Sequence, residues 1–251
     1  MATTARRSTA NANTGNVPSP PPYPSFIELD LITSGRRIIV GCDEVGRGAL
    51  AGPVVAAAVV LDYDCLPPGL GDSKLIAREQ REELAIAIRK CAIAFAVCAI
   101  SAREIEKINI LRASLRAMRL ATLRLGVTAD VLLVDGLHVP PLKYVGGKQP
   151  LRRAIVGGDG SIACIGAASI IAKVERDAIM REFHKRYRRY GFHTNVGYGT
   201  AEHYAGLEKH GICPQHRRTF RPIRELLEPQ LRLGLALDTS APASEVKQVD
   251  R

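Results

Sequence analysis

The chain has 251 residues, 46% of them hydrophobic, enough for one sizeable core, and no apolar run reaches the roughly 18–20 residues that a membrane span needs. Lysine and arginine outnumber aspartate and glutamate by 35 to 25, and the resulting charge of +10 points to a polyanionic partner rather than a membrane. The six cysteines (Cys42, Cys65, Cys91, Cys98, Cys164 and Cys213) show no CxxC pairing, which argues against zinc. They lie mostly inside apolar runs and read as small buried hydrophobes in a reducing compartment, the cytoplasm.

Residues 1–24 are dominated by Ala, Thr, Asn, Ser and Pro and cannot bury a core, so they are expected to form a disordered tail. Arg6 and Arg7, with no acid before Glu28, faintly suggest a transit peptide, but neither an amphipathic helix nor a secretory h-region is present. A short helix is expected from Ser25 to Ser34, closed by Gly35. Arg37–Cys42 reads as a buried strand ending at Asp43, and Val54–Leu61, apolar throughout, as a strand buried on both faces. The short Gly46–Pro53 connection predicts an antiparallel hairpin between them.

After a loop at Asp62–Gly71, Asp72-Ser73-Lys74 precedes a helix from about Ala77 to Lys90, with Asp72 and Ser73 as caps. Cys91–Ile100 is a third strand beside the second. Ser101 and Glu104 have capping-box spacing for a helix over Ala102–Lys107, and Asn109 leads into a helix that runs to Leu125 and stops at Gly126. Val131–Gly136 and Arg153–Val156 are the fourth and fifth strands. A long helix follows over about Ile162–Arg181, small-faced at its start, and then a helix over Ala201–Lys209 capped by Thr200. The expected organisation is a tail at 1–24, one α/β domain at 25–228 whose helical C-terminal part begins near 182, and a second disordered tail at 229–251.

Three strand ends carry carboxylates next to glycine: Asp43/Glu44, Asp135 and Asp159. Each alone is an ordinary turn residue. Gathered at one sheet edge they suit a hard divalent cation, because Mg²⁺ and Mn²⁺ prefer oxygen ligands. Four carboxylates can hold two such ions about 3.5–4 Å apart, an arrangement that clamps the attacking and leaving oxygens of a phosphodiester. A glycosidase-type acid–base pair would need two carboxylates and would leave the basic surface unexplained. Side chains on a strand alternate between faces, so Asp43 and Glu44 are expected to share a site only if the strand ends between them and the chain curls at Gly46.

Asp43-Glu44-Val45-Gly46-Arg47-Gly48, followed by Ala51-Gly52-Pro53-Val54-Val55-Ala56-Ala57-Ala58, closely resembles the opening motif of ribonuclease HII. The resemblance continues collinearly through Asp72-Ser73-Lys74, Asn109-Ile110-Leu111, Val134-Asp135-Gly136, Gly158-Asp159 and Ala167–Val174. It goes on through Arg176-Asp177, Tyr190-Gly191-Phe192, Gly197-Tyr198-Gly199-Thr200 and His216–Phe220, and so covers about residues 36–225. It implies a ribonuclease H-like fold with a mixed five-stranded sheet flanked by helices and a C-terminal helical extension. It also implies an endoribonuclease that binds RNA–DNA hybrids and ribonucleotide-containing duplex DNA, a substrate of ribonucleotide excision repair.

Carried over residue by residue, the resemblance makes Asp43, Glu44, Asp135 and Asp159 the catalytic and metal-binding residues, holding two Mn²⁺ or Mg²⁺ ions. It makes Gly46-Arg47-Gly48 a sensor of the 2′-hydroxyl and Tyr198 a stacking partner for the sugar beside the ribonucleotide. Asp72, Ser73 and Lys74 become a site for a DNA-strand phosphate, and Asn109 a further substrate contact. The chain is expected to act as a monomer, with its tails as a place for a weak partner.

Departures from the family pattern are Ile162 and Cys164 in place of serines, Gly166 in place of an alanine, and Val196 in place of a lysine. They bear on packing behind the carboxylates and on one phosphate contact. The rival reading is a hybrid-binding protein on the same fold with impaired catalysis. Such a protein has no need of all four carboxylates, and all four are present. A P-loop reading fails because Gly69–Lys74 lacks the required spacing.

Overall fold

The structure is a computed structural model that describes residues 24–70, 77–143, 147 and 149–228. In chain order the elements are α1 (Phe26–Thr33), β1 (Ile39–Val45), β2 (Val54–Leu61), α2 (Arg78–Cys91), β3 (Ala92–Ile100), α3 (Ala102–Ile108) and α4 (Ile110–Arg124). Then come β4 (Val131–Asp135), β5 (Leu151–Ile155), α5 (Ala163–Arg186), α6 (Phe192–Asn195) and α7 (Ala201–His210). One 3₁₀ turn at Gly158–Gly160 precedes α5, another at Arg188–Tyr190 follows it, and residues 221–228 are helical.

The strands form one mixed sheet in the order β3-β2-β1-β4-β5. β1 pairs antiparallel with β2 and parallel with β4, as the hairpin expected from the short connection and the intervening helices require. Every residue of β2 is fully buried. Its neighbour β3 is the outer strand and alternates between buried and exposed, with Ile93 and Phe95 facing solvent.

Alternation along the strands feeds two cores. Ile39, Val59, Val131 and Leu133 pack with α2 and α5 on one face. Val40, Cys42, Val60, Leu132 and Val134 pack with α3 and α4 on the other. A third cluster, with Leu50, Ala51, Met180, Tyr190, Phe192 and Leu207, joins the C-terminal helices to the loop after β1. Gly41 allows the closest approach in the sheet, since a Cβ there would stand 2.1 Å from the backbone carbon of Cys164 in α5.

Several expectations are corrected in detail. α2 starts at Arg78 with Ala77 at its N-cap, close to the expected start, while the expected caps Asp72 and Ser73 lie outside the described residues. Ser101 caps α3 through the Glu104 N–H at 3.3 Å, but the Glu104 carboxylate turns to Arg116 of α4 rather than back to the cap. A full capping box forms instead at Ser25 and Glu28. α5 runs on to Arg186, past the expected Arg181, and so takes in the first half of the basic and aromatic stretch Phe183–Tyr190. Of the cysteines, Cys42, Cys98, Cys164 and Cys213 are buried as expected, whereas Cys91 is half-buried and Cys65 is exposed, in the turn where the chain leaves β2.

Glu28 is fully buried. Its Oε2 accepts hydrogen bonds from the Ser25 N–H (2.9 Å) and the Ala163 N–H (3.1 Å), while its Oε1 accepts from the Cys164 N–H (3.0 Å) and the Tyr63 hydroxyl (2.8 Å). A helix leaves its first N–H groups without intrahelical partners. Ile162, at the N-cap of α5, offers no side-chain acceptor, and a carboxylate from α1 takes over that task. The loss of a serine at the N-cap position Ile162 is thereby offset from elsewhere in the chain.

Candidate active site

β1 and β4 run parallel, so their carboxyl ends open at the same edge of the sheet, where open α/β sheets commonly bind ligands. The register pairs Cys42 with Val134, which places Asp43 and Asp135 side by side at the next position. Both point to the α5 face, as Ile39 and Leu133 do at even spacing before them. Asp43 is 6% exposed, and its Oδ1 accepts the Glu44 N–H at 2.7 Å. Burial pushes its carboxyl well above the ordinary range, against a hydrogen bond to Ser169 of α5, and the charges of Glu44 and Asp135 push it the same way. Asp159 sits in the turn just ahead of α5, and the N–H of neighbouring Gly158 donates to Asp135 Oδ1 at 2.8 Å, which ties that turn to the end of β4.

The strand does not end between Asp43 and Glu44, as expected, but continues to Val45 in register with β2. Alternation therefore sends Glu44 toward the face of Val40 and Cys42, opposite Asp43. The two still act on one edge because β4 stops at Asp135, leaving the end of β1 overhanging it. Burial raises the Glu44 carboxyl too; Arg47, whose Nη1 lies 3.0 Å from Oε1, draws it back, and Asp135 raises it further.

Gly46 opens the loop at φ +90°, and a Cβ there would stand 2.1 Å from the Nε of Arg176. Arg176 and Arg217 are both fully buried, and both are spent on backbone carbonyls. Arg217 donates from Nε to Gly52 O (3.0 Å), from Nη1 to Arg47 O (2.9 Å) and from Nη2 to Gly46 O (2.7 Å). Arg176 donates from Nε to Pro53 O (3.0 Å), from Nη1 to Val196 O (2.8 Å) and from Nη2 to Ala51 O (3.2 Å). Burial, with the charge of Arg176 beside it, pushes the Arg217 guanidinium down to about 9, so it stays charged at neutral pH.

These two arginines make the loop rigid. Because the peptide unit is planar and trans, turning the Gly46 and Arg47 carbonyls inward turns the N–H groups of Arg47 and Gly48 outward. The Tyr198 ring lies next to Gly48, 4.0 Å from where a Cβ would be, under the Arg176 guanidinium at 5.5 Å. Tyr198 is in turn held by a histidine pair. The Cys213 N–H donates to His216 Nδ1 (2.8 Å), which leaves the proton on His216 Nε2 to donate to His203 Nε2 (3.0 Å) and that on His203 Nδ1 to donate to Tyr198 O (2.8 Å). The expected lysine at 196 would have offered a side chain; what the fold uses at Val196 is its carbonyl.

The structure thus brings together Asp43, Glu44, Asp135 and Asp159 at one edge, with Gly46, Arg47, Gly48 and Tyr198 beside them. Asn109 is spent locally: at φ 66° it joins α3 to α4, and its Oδ1 accepts the Arg112 N–H at 3.0 Å. Asp72, Ser73 and Lys74 lie outside the described residues. Arg176, Arg217, Ser169 and Glu28 carried no role in the sequence. For Arg176 a signal existed: it falls at helical spacing among the buried Ala168, Ala172 and Met180, where a charge must have a partner.

The donor set is all oxygen, which suits Mg²⁺ or Mn²⁺, and the Asp43 and Glu44 carboxyls, raised first by burial and further by neighbouring carboxylates, are ones whose charge a divalent cation would stabilise. Among the described residues no three His, Cys, Asp or Glu side chains form a ready-made ligating group; Glu44 is engaged with Arg47 and Asp135 with the Gly158 amide. The residues fit such an ion by chemistry and position, and these two contacts are the ones it would have to replace.

A family profile described as Ribonuclease HII matches residues 40–223. A Ribonuclease HII from Idiomarina loihiensis is 50% identical over 190 residues, covering 76% of this chain and 98% of that protein. Among solved structures, the ribonuclease H2 of Pyrococcus horikoshii OT3 superposes with a TM-score of 0.63 at 26% identity, over 76% of this chain and 97% of that one. A Bst-RNase HIII in complex with Mn²⁺ shares the fold, with a TM-score of 0.61 at 17% identity over 79% and 71% of the two chains.

Proposed function

Because this chain belongs to the ribonuclease HII family and is a ribonuclease H-class hydrolase acting on RNA–DNA hybrids, we propose that it also cuts 5′ of single ribonucleotides embedded in duplex DNA. The products are a 5′-phosphate and a 3′-hydroxyl. The observation that carries this reading is the segment Gly46, Arg47 and Gly48 directly beside the carboxylate edge, its carbonyls pinned by buried Arg217 while buried Arg176 holds the far end of the same loop at Ala51 and Pro53. The 2′-hydroxyl is the group that separates RNA from DNA. Two outward N–H groups on a rigid backbone, at Arg47 and Gly48, are suited to donate to its oxygen, and the absence of a side chain at Gly48 lets the sugar approach.

Tyr198, 37% exposed, offers a flat apolar face on the other side of Gly48 for the neighbouring sugar. Asp43, Glu44, Asp135 and Asp159 would hold two Mg²⁺ or Mn²⁺ ions, which would supply an activated water and stabilisation of the departing 3′-oxygen. The chain's own part is positional. Ser169 fixes Asp43, the Gly158 amide fixes Asp135, and Arg47 occupies Glu44. The charge of +10 supplies the attraction to a polyanionic duplex. Asp72, Ser73, Lys74 and Asn109 are proposed as contacts to the strands further from the cut. No helix among the described residues is long and apolar enough to cross a membrane.

The test is cleavage of a DNA duplex carrying one ribonucleotide, and of an RNA–DNA hybrid, with Mg²⁺, with Mn²⁺ and with EDTA. Cutting of both substrates that EDTA abolishes is expected. Tight binding of the hybrid without cutting under either metal would replace the enzyme with a binding protein on the same fold.

A further inference from the structure

The six cysteines divide sharply. Four are buried in the cores, and the remaining two, Cys65 and Cys91, meet at the surface with their Sγ atoms 2.7 Å apart. Their backbones are bracketed by one residue: the Asp62 N–H donates to Cys91 O at 3.0 Å, and the Cys65 N–H donates to Asp62 O at 3.1 Å. The end of β2 is also in register with the start of β3, Leu61 opposite Ala92, so the two thiols are held face to face by the sheet itself. Cys65 is exposed to solvent reagents, whereas Cys91 is half-buried behind it.

We propose that Cys65 and Cys91 are a modification site, a dithiol that closes reversibly to a disulfide when a low-molecular-weight disulfide such as oxidised glutathione is present. The Cys65 thiolate attacks one sulfur of that reagent, forms a mixed disulfide and releases one small thiol. The Cys91 thiolate then attacks the Cys65 sulfur, forms the Cys65–Cys91 bond and releases the second small thiol. The two electrons lost by the protein sulfurs reduce the reagent, and the two cysteine protons end on its two thiols.

The bond would fasten the C-terminal end of α2 to the end of β2. α2 in turn packs on α5 through Arg81 and Asp177 (3.8 Å), Arg89 and Glu175 (2.6 Å), and Glu82 and Arg181 (3.3 Å). α5 carries Ser169 and Arg176, so the clasp reinforces the helix behind the carboxylate edge without touching the edge. In a reducing compartment the pair stays open, and an oxidative challenge closes it.

The experiment is intact-mass measurement and peptide mapping of the folded full chain after incubation with oxidised glutathione, followed by a dithiol reductant. The expected result is loss of two hydrogens, a Cys65–Cys91 cross-linked peptide, a melting temperature raised by about 5–10 °C, and full reversal on reduction. In Cys91→Ser the same treatment should stop at a glutathione adduct on Cys65. A wild-type chain that accumulates this adduct with no cross-link, or that oxidises with no rise in melting temperature, would overturn the proposal. The mapping on wild-type protein decides the matter even if a serine variant folds poorly.

Discussion

Gly46→Ala is the sharpest perturbation of the loop proposed to join catalysis to substrate choice. A residue with a Cβ at φ +90° bears a cost of about 1–2 kcal/mol relative to glycine. The added methyl would also stand 2.1 Å from Arg176 Nε, closer than any real contact, so that side chain must move. Arg176 makes hydrogen bonds at 3.0, 2.8 and 3.2 Å to three backbone carbonyls, and bonds to a charged group are each worth about 1.5–3 kcal/mol net. Losing even one of them brings the total to about 3–5 kcal/mol. Because the same movement shifts the outward amides, cleavage at a single ribonucleotide should fall about 100-fold, as for a displacement of about 1 Å. Duplex affinity, carried by the basic surface, should change far less.

Urea denaturation gives the first quantity, and cleavage and binding of a one-ribonucleotide duplex give the second. A double-mutant cycle with Arg176→Ala isolates the contact, since shortening that side chain removes the obstruction, and the combined loss should fall short of the sum by about 2 kcal/mol. Strict additivity, or a Gly46→Ala protein that loses less than about 0.5 kcal/mol, would refute this account of the loop.

Asp43→Asn should abolish cleavage yet raise the melting temperature of metal-free protein, because it removes a buried charge that burial and the neighbouring Glu44 and Asp135 disfavour. The same carboxyl has a folded-state pKa above its unfolded value of about 3.9, so without metal its effect on stability is most favourable at low pH and is lost as pH rises through the raised value. Mn²⁺ should accordingly stabilise wild type more at pH 7 than at pH 5, and Asp43→Asn less at both; equal thermal shifts in the two proteins would count against the carboxylate site. Burial, helped by the charge of His203, pushes His216 down to about 4, so its support for the fold is complete above about pH 6.5 and fades toward pH 4, by about 3 kcal/mol in all. His216→Gln should be less stable at pH 7 but flatter across that interval, and parallel unfolding profiles from urea titrations would show the histidine chain to be irrelevant. Glu28→Ala leaves the first amides of α5 and the Tyr63 hydroxyl without their acceptor and should cost about 3 kcal/mol, read by the same titration.

Strands and helices with strong periodicity were legible from the sequence because local pattern and tertiary fate agree there. The uniformly apolar Val54–Leu61 had to be buried on both faces, and it is. The carboxylates were legible as strand-end residues, but their relation was not: only the parallel pairing of β1 with β4 shows that Glu44 stays in the strand and shares the edge by overhang. Arg217 could not have been read at all. It lies in a segment without periodicity, and its partners, Gly46, Arg47 and Gly52, are identified only once the C-terminal segment folds back against the loop, with the Arg217 N–H on Leu50 O at 2.9 Å. Cys91 was misjudged for a similar reason, since an apolar run says nothing about which of its ends meets solvent, and Cys65 because a residue type common in cores was read as buried although it lies in the loop after β2.

The buried carboxylate of Glu28 also sets an order of assembly. Residue 28 leaves the ribosome early, but its acceptors find their donors only when residues 163 and 164 have been made. Until then α1 has little to hold it, and α5 starts without a cap. The two ends of the domain therefore complete each other late, as a keystone does, and a cut anywhere between them separates the helix behind the carboxylate edge from the group that seats it. Fusions ahead of Ser25 should be harmless. Trimming past it removes a piece of the active-site support that sequence distance conceals.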